Sequence, residues 1–159
     1  MTVFNVISDT HRKNSDAIKK LIPVFNDGDF LVHLGDGISD LEEFEDRIKR
    51  PVFKVCGNCD LFSAAPKNIF AESSAGKLLF THGDAHYVKS GNPTSLYLFA
   101  KQNDCVCAFY GHTHKADIQL FRDVLLINPG SLSCPRVGLP SYCTVTVENG
   151  RLLPKIVLI

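Results

Sequence analysis

Asp9 and His11 stand two residues apart, and so do His112 and His114. In extended or looping backbone, alternate side chains point the same way, so each pair can offer two donors to one small volume. Carboxylate and imidazole suit divalent first-row metals better than soft Cu(I). Three further runs carry related groups: Gly35-Asp36-Gly37, Gly57-Asn58-Cys59-Asp60 and Thr81-His82-Gly83-Asp84. Glycines at 35, 57, 83 and 111 let the chain turn sharply beside a ligand. Any one run has ordinary uses, such as a carboxylate orienting a buried imidazole. The conjunction points to metal ligation by Asp9, His11, Asp36, Asn58, His82, His112 and His114.

Each run follows a short apolar segment, and these segments are the elements that must position it. Val3–Ile7, Phe30–Leu34 and Pro51–Cys56 read as strands. Between the first two, Ile18, Leu21, Ile22 and Phe25 share a helical face, with Asn14 or Ser15 as N-cap and Pro23 obscuring the end. Ser39-Asp40-Leu41-Glu42 reads as a capping box opening a second helix with Leu41, Phe44 and Ile48 inward. Alternation of strand and helix predicts parallel pairing with right-handed crossovers. The second half predicts strands at Lys77–Phe80, Cys105–Tyr110, Ala116–Phe121, Val124–Ile127, Tyr142–Val147 and Leu152–Leu158, and a helix at Thr94–Gln102. Arg122-Asp123 and Asn149-Gly150 are hairpin turns. The expected architecture is α/β early and antiparallel β late, two sheets face to face with helices outside. Ligands in such sheets bind beyond the carboxyl ends of the strands, so the five runs should meet at one edge.

The 159 residues suit one domain, with 45% hydrophobic content to build its core. Seventeen basic residues balance seventeen acidic ones, which argues against a general nucleic-acid binder. No apolar run approaches the ~18 residues of a membrane helix, and the N-terminus lacks the basic region of a signal peptide. The six cysteines are too sparse for a disulfide scaffold, and Cys105 and Cys107 alternate with apolar residues like small hydrophobes. The expectation is a cytoplasmic chain with mostly reduced thiols. Cys56-Gly57-Asn58-Cys59 has the spacing of a redox site or half a zinc ribbon, but no second pair completes a zinc site.

In order and spacing, Asp9-Thr10-His11, Gly35-Asp36, Gly57-Asn58-Cys59-Asp60, Thr81-His82-Gly83 and Gly111-His112-Thr113-His114 resemble the calcineurin-like metallophosphoesterases. Asn128-Pro129-Gly130-Ser131 with Pro135-Arg136 looks like the small single-domain phosphodiesterases of the YfcE type. The resemblance covers nearly the whole chain. It implies one domain over residues 1–159, folded as a four-layer α/β/β/α sandwich of two mixed sheets with helices on the outer faces. It also implies a centre of two divalent ions, Mn²⁺ ahead of Ni²⁺, Fe²⁺, Zn²⁺ or Co²⁺. On the resemblance, Asp9, His11 and His114 hold one ion, Asn58, His82 and His112 the other, and Asp36 bridges them.

The implied activity is phosphodiester hydrolysis by a hydroxide generated between ions roughly 3.5–4 Å apart. Asp36, Asn58, His82 and Cys59 are the catalytic candidates, and Arg12, Asn58 and His86 the substrate-binding ones. Asn58 coordinates without cancelling charge, so the centre stays cationic and attracts a phosphate. Cys59 stands where most of the superfamily has a histidine to protonate the leaving group; a thiol is the poorer acid at neutral pH. Asp84 stands where many relatives have a further histidine, and His86 follows two residues later. Lys115 and Arg136 are surface residues or phosphate contacts, His33 a buried hydrogen-bonded histidine, and Asp60 an orienting carboxylate. Loops 61–66, 86–93 and 132–140, with Phe62, Tyr87 and Arg136, should set specificity for a small nucleotide-like substrate or make contacts in a homo-oligomer. Two other readings share the motifs. One is a phosphomonoesterase, for which the sequence offers few certain extra cations. The other is a protein-interaction scaffold like the small retromer subunit, which keeps the fold with a degraded metal site.

Overall fold

Strand β1 (Thr2–Ile7) pairs in parallel with β2 (Phe30–His33), and β2 with β3 (Val52–Lys54). The computed structural model describes residues 1–12 and 15–159. Helix α1 (Ser15–Asp27) makes the first crossover, and its predicted cap at Asn14 lies outside the described residues. Strand β9 (Ser141–Glu148) returns antiparallel along β1 and β10 (Arg151–Leu158) antiparallel along β9, giving the order β10-β9-β1-β2-β3. The second sheet runs β4 (Asn68–Ser73), β5 (Gly76–Thr81), β6 (Cys105–Phe109), β8 (Val124–Pro129) and β7 (Ala116–Phe121). Helix α2 (Thr94–Gln102) joins β5 to β6. The hairpin turns at Arg122-Asp123 and Asn149-Gly150 form as expected.

Side-chain alternation assigns the layers. Phe4, Val6, Val32, Phe80, Phe109 and Ile127 point between the sheets. Phe80 ties stacked Phe53 to Phe109, with ring centres 5.7 and 5.1 Å apart. The neighbouring residues Ile7 and Leu31 point outward onto Ile18, Leu21, Ile22 and Phe25 of α1. On the other outer face Leu79, Ala108 and Leu126 meet Leu96 and Ala100 of α2. Sheet between sheet and helix on each side is the four-layer sandwich, and it explains why the central strands are apolar on both faces. Among the described residues, no helix is long and apolar enough to cross a membrane.

The structure departs from several expectations. The segment Ile38–Arg47 is a 3₁₀ helix rather than an α-helix, and its N-cap is Gly37 with no side-chain capping bond. The supposed capping box fails because Asp40 turns its carboxylate to the Arg12 backbone N–H at 2.8 Å; Leu41 and Phe44 still point inward. The second half is not purely antiparallel: β5, β6 and β8 run parallel. Strand β3 is only three residues long. Strand β4 leaves little trace in the sequence, because an edge strand alternating Ile69 and Ala71 with Phe70 and Glu72 carries a weak apolar signal. Pro23 does not end α1; it lies on the exposed face while Phe25 beyond it packs fully buried.

Candidate metal centre

The parallel strands β1, β2 and β3, together with β5 and β6, end at a common edge, and the five polar runs extend from those ends. Cross-links between the loops fix their approach. Asp9 N–H donates to the Gly35 carbonyl, His11 N–H to that of Asp36, and Gly111 N–H to that of His82. Close backbone contact requires glycine at two points. A Cβ on Gly57 would overlap Asp36 Oδ1, and one on Gly111 would overlap Ser8 Oγ.

Asp9, His11 and His114 place one ligand atom each within 4.8 Å of one another, and so do Asp36, His82 and His112. His11 Nε2 lies 3.0 Å from His114 Nε2, and His114 Nε2 lies 3.2 Å from Asp9 Oδ1. In the second group, His82 Nε2 is 3.3 Å from Asp36 Oδ2 and 3.2 Å from His112 Nδ1. Asp36 Oδ2 is also 3.8 Å from His11 Nε2, so this one oxygen lies between the groups. The pairs converge by a different route from simple strand alternation. Asp9, His11, Asp36, His112 and His114 all have φ between 49° and 66°, the left-handed region that residues other than glycine seldom occupy.

The donor chemistry fits cations. His82 Nδ1 donates to the Leu34 carbonyl at 2.7 Å and His114 Nδ1 to that of Cys134 at 2.8 Å. Each bond puts the neutral ring's proton on Nδ1 and leaves Nε2 as a lone pair facing the cluster. Asp9 Oδ2 accepts from Ser8 Oγ and the His112 N–H, whereas Asp9 Oδ1 is buried and receives no hydrogen bond. Burial acts to raise both carboxyl pKa values. For Asp36 the His82 and Cys59 contacts outweigh it, for Asp9 the His114, His82 and Ser8 contacts, and both stay below the usual range. Burial acts to lower His82, but Asp36 and Asp9 prevail and raise it. Ionised carboxylates facing imidazole nitrogens form a cavity whose field favours a cation.

Three further groups brace the ligands. The Asp60 carboxylate accepts backbone N–H bonds from Asp36, Gly37, Ile38 and Gly57, tying the β2 loop to the β3 loop. Asp60 therefore orients the backbone beneath Asp36 rather than a ligand side chain. His33 is fully buried: its Nδ1 accepts from Gly35 N–H, so Nε2–H donates to Thr10 Oγ1, which donates to the Gly37 carbonyl. Ser131 Oγ donates to the Asp9 carbonyl. Sequence reasoning assigned no role to Ser8, Thr10 or Ser131. Their signal was only adjacency to, or the end of a strand beside, the metal-capable runs.

The remaining candidates are more dispersed. Cys59 donates its N–H to Asp36 Oδ1 at 2.7 Å, and its sulfur groups with His11 and Asp36 within 4.8 Å. Its thiol pKa is raised, first by burial and then by Asp36. Asn58 is exposed, with its amide 3.4 Å from Cys59 Sγ. Arg12 is exposed at the rim of a cleft shared with His11, Cys59 and Phe62. His86 is not brought to the cluster: it is buried, with its ring centre 4.7 Å from that of Phe99 on α2. Asp84 faces Lys67 at 3.8 Å. All six cysteines are free, so Cys56 and Cys59 form no disulfide.

Comparison with known proteins agrees with this geometry. The description of the calcineurin-like phosphoesterase superfamily domain matches residues 1–150. A probable metallophosphoesterase of Methanocaldococcus jannaschii is 34% identical, over 96% of this chain and 81% of its own. A second protein of that organism, named a phosphodiesterase, is 29% identical over 91% and 92%. Among solved structures, a predicted phosphoesterase of Streptococcus pneumoniae superposes with TM-score 0.80 at 23% identity, over 99% of this chain and 89% of that one. Entamoeba histolytica Vps29 bound to Zn²⁺ gives 0.76 at 19% identity, over 99% of each. Yfce, a phosphoesterase from E. coli, gives 0.68 at 21% over 99% and 100%. At such identities the structural likenesses speak to fold alone. The match along residues 1–150, together with the archaeal relative, carries the assignment: the chain belongs to the calcineurin-like phosphoesterase superfamily.

Proposed function

We propose that the protein is a phosphodiesterase working with two divalent ions, Mn²⁺ foremost. Asp9, His11 and His114 would hold one ion, Asn58, His82 and His112 the other, and Asp36 both. Ions held there supply Lewis acidity towards a phosphoryl oxygen and lower the pKa of a bound water towards neutrality. The chain's own residues do the positioning. The carbonyls of Leu34 and Cys134 hold His82 and His114 with Nε2 free of its proton. Asp60 holds Asp36 in place through its backbone. Arg12, at the rim, is placed to meet a phosphate oxygen. Cys59 offers a thiol proton to the leaving alkoxide. Its raised pKa keeps the proton on at neutral pH but makes it a weak acid, so good leaving groups should react fastest.

The observation that carries this reading is Asp36 Oδ2 lying between His82 Nε2 at 3.3 Å and His11 Nε2 at 3.8 Å. The test is hydrolysis of bis(4-nitrophenyl) phosphate by metal-stripped protein with Mn²⁺ restored. Metal-dependent turnover that is abolished in Asp36→Asn supports the reading. Absence of metal-dependent turnover would favour the scaffold reading, for which the Vps29 likeness is the specific observation. A clear preference for 4-nitrophenyl phosphate would make the protein a monoesterase.

A further inference from the structure

Beside the cluster opens a second cleft of about 450 Å³, lined by Lys89, Tyr110, Thr113, Lys115, Asp117 and Arg136 among others. It begins where the centre ends. Thr113 separates His112 from His114, Lys115 follows them, and Arg136 N–H donates to the His114 carbonyl at 3.0 Å. Lys89 reaches the same opening from the turn Val88–Ser90. Lys54, Lys67 and Lys101 each pair with an acid, whereas among the described residues Lys89, Lys115 and Arg136 take part in no ion pair. Three unpaired cations against one carboxylate, Asp117, converge on a single concavity in a chain of zero net charge.

We propose that this cleft binds a second anionic group of the substrate, a phosphate or carboxylate on one arm of the diester. The inference rests on the phosphodiesterase reading and adds the substrate class: diesters with a negatively charged tail a few bonds from the scissile phosphorus. The metal centre takes the bridging phosphate, and the cations take the tail without contacting the reacting atoms.

The test compares 4-nitrophenyl alkyl phosphodiesters whose tail ends in hydroxyl, carboxylate or phosphate, using the metal-loaded full chain. The anionic tails should raise kcat/KM about tenfold over hydroxyl at low ionic strength, through KM, and the gap should close at high salt. Comparing the two tails identifies which anion the cleft prefers. Lys115→Ala and Arg136→Ala should each cut the anionic-to-hydroxyl ratio by up to about fivefold. Asp117→Asn should raise that ratio, a direction that structural damage cannot imitate. A ratio near one, or one indifferent to all three substitutions, overturns the proposal. So does a 4-nitrophenyl phosphate KM that rises in the variants while the diester ratio stays flat, since the cations would then serve the scissile phosphate. An independent readout is an NMR titration of the full chain with inorganic phosphate. Saturable shifts at Lys89, Lys115 and Arg136, lost in Lys115→Ala, are expected, and their absence counts against the site. If no ester is turned over, the hydrolase reading fails and this titration alone decides the cleft.

Discussion

Asp60→Asn should loosen the metal centre without touching a proposed ligand. Asp60 Oδ2 accepts from Asp36 N–H at 2.7 Å and Gly57 N–H at 2.8 Å, and Oδ1 from Gly37 at 2.7 Å and Ile38 at 3.1 Å. Asparagine keeps one acceptor oxygen and sets its NH₂ against two N–H donors. Each hydrogen bond to a charged acceptor contributes about 1.5–3 kcal/mol net. Losing two would cost about 3–6 kcal/mol in a sealed site. Asp60 is only partly buried, so water can replace some of this, and a loss of about 2–4 kcal/mol is expected. For a chain of this size that lowers Tm by roughly 5–15 °C. The Asp36 carboxylate, whose backbone N–H is one of the four donors, then loses its fixed position. Divalent metal affinity, read by calorimetric titration, should fall about 10–100-fold. Thermal melts of metal-free protein measure the structural part separately. If Asp60→Asn melts within about 2 °C of the parent and binds metal equally well, the four-bond clasp is not what holds Asp36, and the reasoning fails.

Gly57→Ala should abolish high-affinity metal binding in a chain that still folds, because the new Cβ would overlap Asp36 Oδ1; unchanged binding would show that the loop yields. His33 is held neutral by burial, its pKa pushed down to about 4 from 6.5. The unfolded chain therefore takes up the proton first as the pH falls. The contribution of about 3 kcal/mol is complete above about pH 6.5 and lost on acidification towards pH 4. Denaturant titrations across that range should show this loss in the parent and not in His33→Gln. Stripping the metal should lower Tm less in Asp9→Asn than in the parent, since each ion bound at 100 times its Kd adds about 2.7 kcal/mol and the variant keeps the other site; equal shifts in both would remove Asp9 from the ligand set.

Much of the site was legible because its chemistry is carried by residue type and order. Asp, His and Asn after apolar runs need only the rule that parallel strands deliver their carboxyl ends to one edge. The strands of the core were legible for a related reason: Val6, Leu78 and Phe109 are buried on the inner face while their neighbours Ile7, Leu79 and Ala108 are buried on the outer one. What escaped depends on tertiary competition. Ser39-Asp40-Leu41-Glu42 has the composition of a cap, but Arg12 N–H, far away in sequence, offers Asp40 a better use. Asp60 looked like a partner for a side chain and instead collects four backbone donors from two loops. His86 carried a plausible spacing, yet the turn that follows Gly83 sends it against Phe99. Lys89 had no motif at all; only the fold brings it beside Lys115 and Arg136.

The left-handed residues join these threads. Asp9, His11, Asp36, His112 and His114 sit at positive φ, at a cost of about 1–2 kcal/mol each for residues with a Cβ. Relaxing them would turn the members of each pair away from one another, so the strain is the price of convergence. It persists because the loops are over-determined. Asp60 holds the backbone of Asp36 and Gly37, the His33–Thr10 chain ties the first loop to Gly37, and Ser131 holds the Asp9 carbonyl. None of these braces satisfies Asp9 Oδ1 or separates the His11 and His114 nitrogens, 3.0 Å apart. A fold that only needed stability would have relaxed these contacts. One that must present clustered carboxylate and imidazole donors to metal keeps them and leaves the last compensation to the ion.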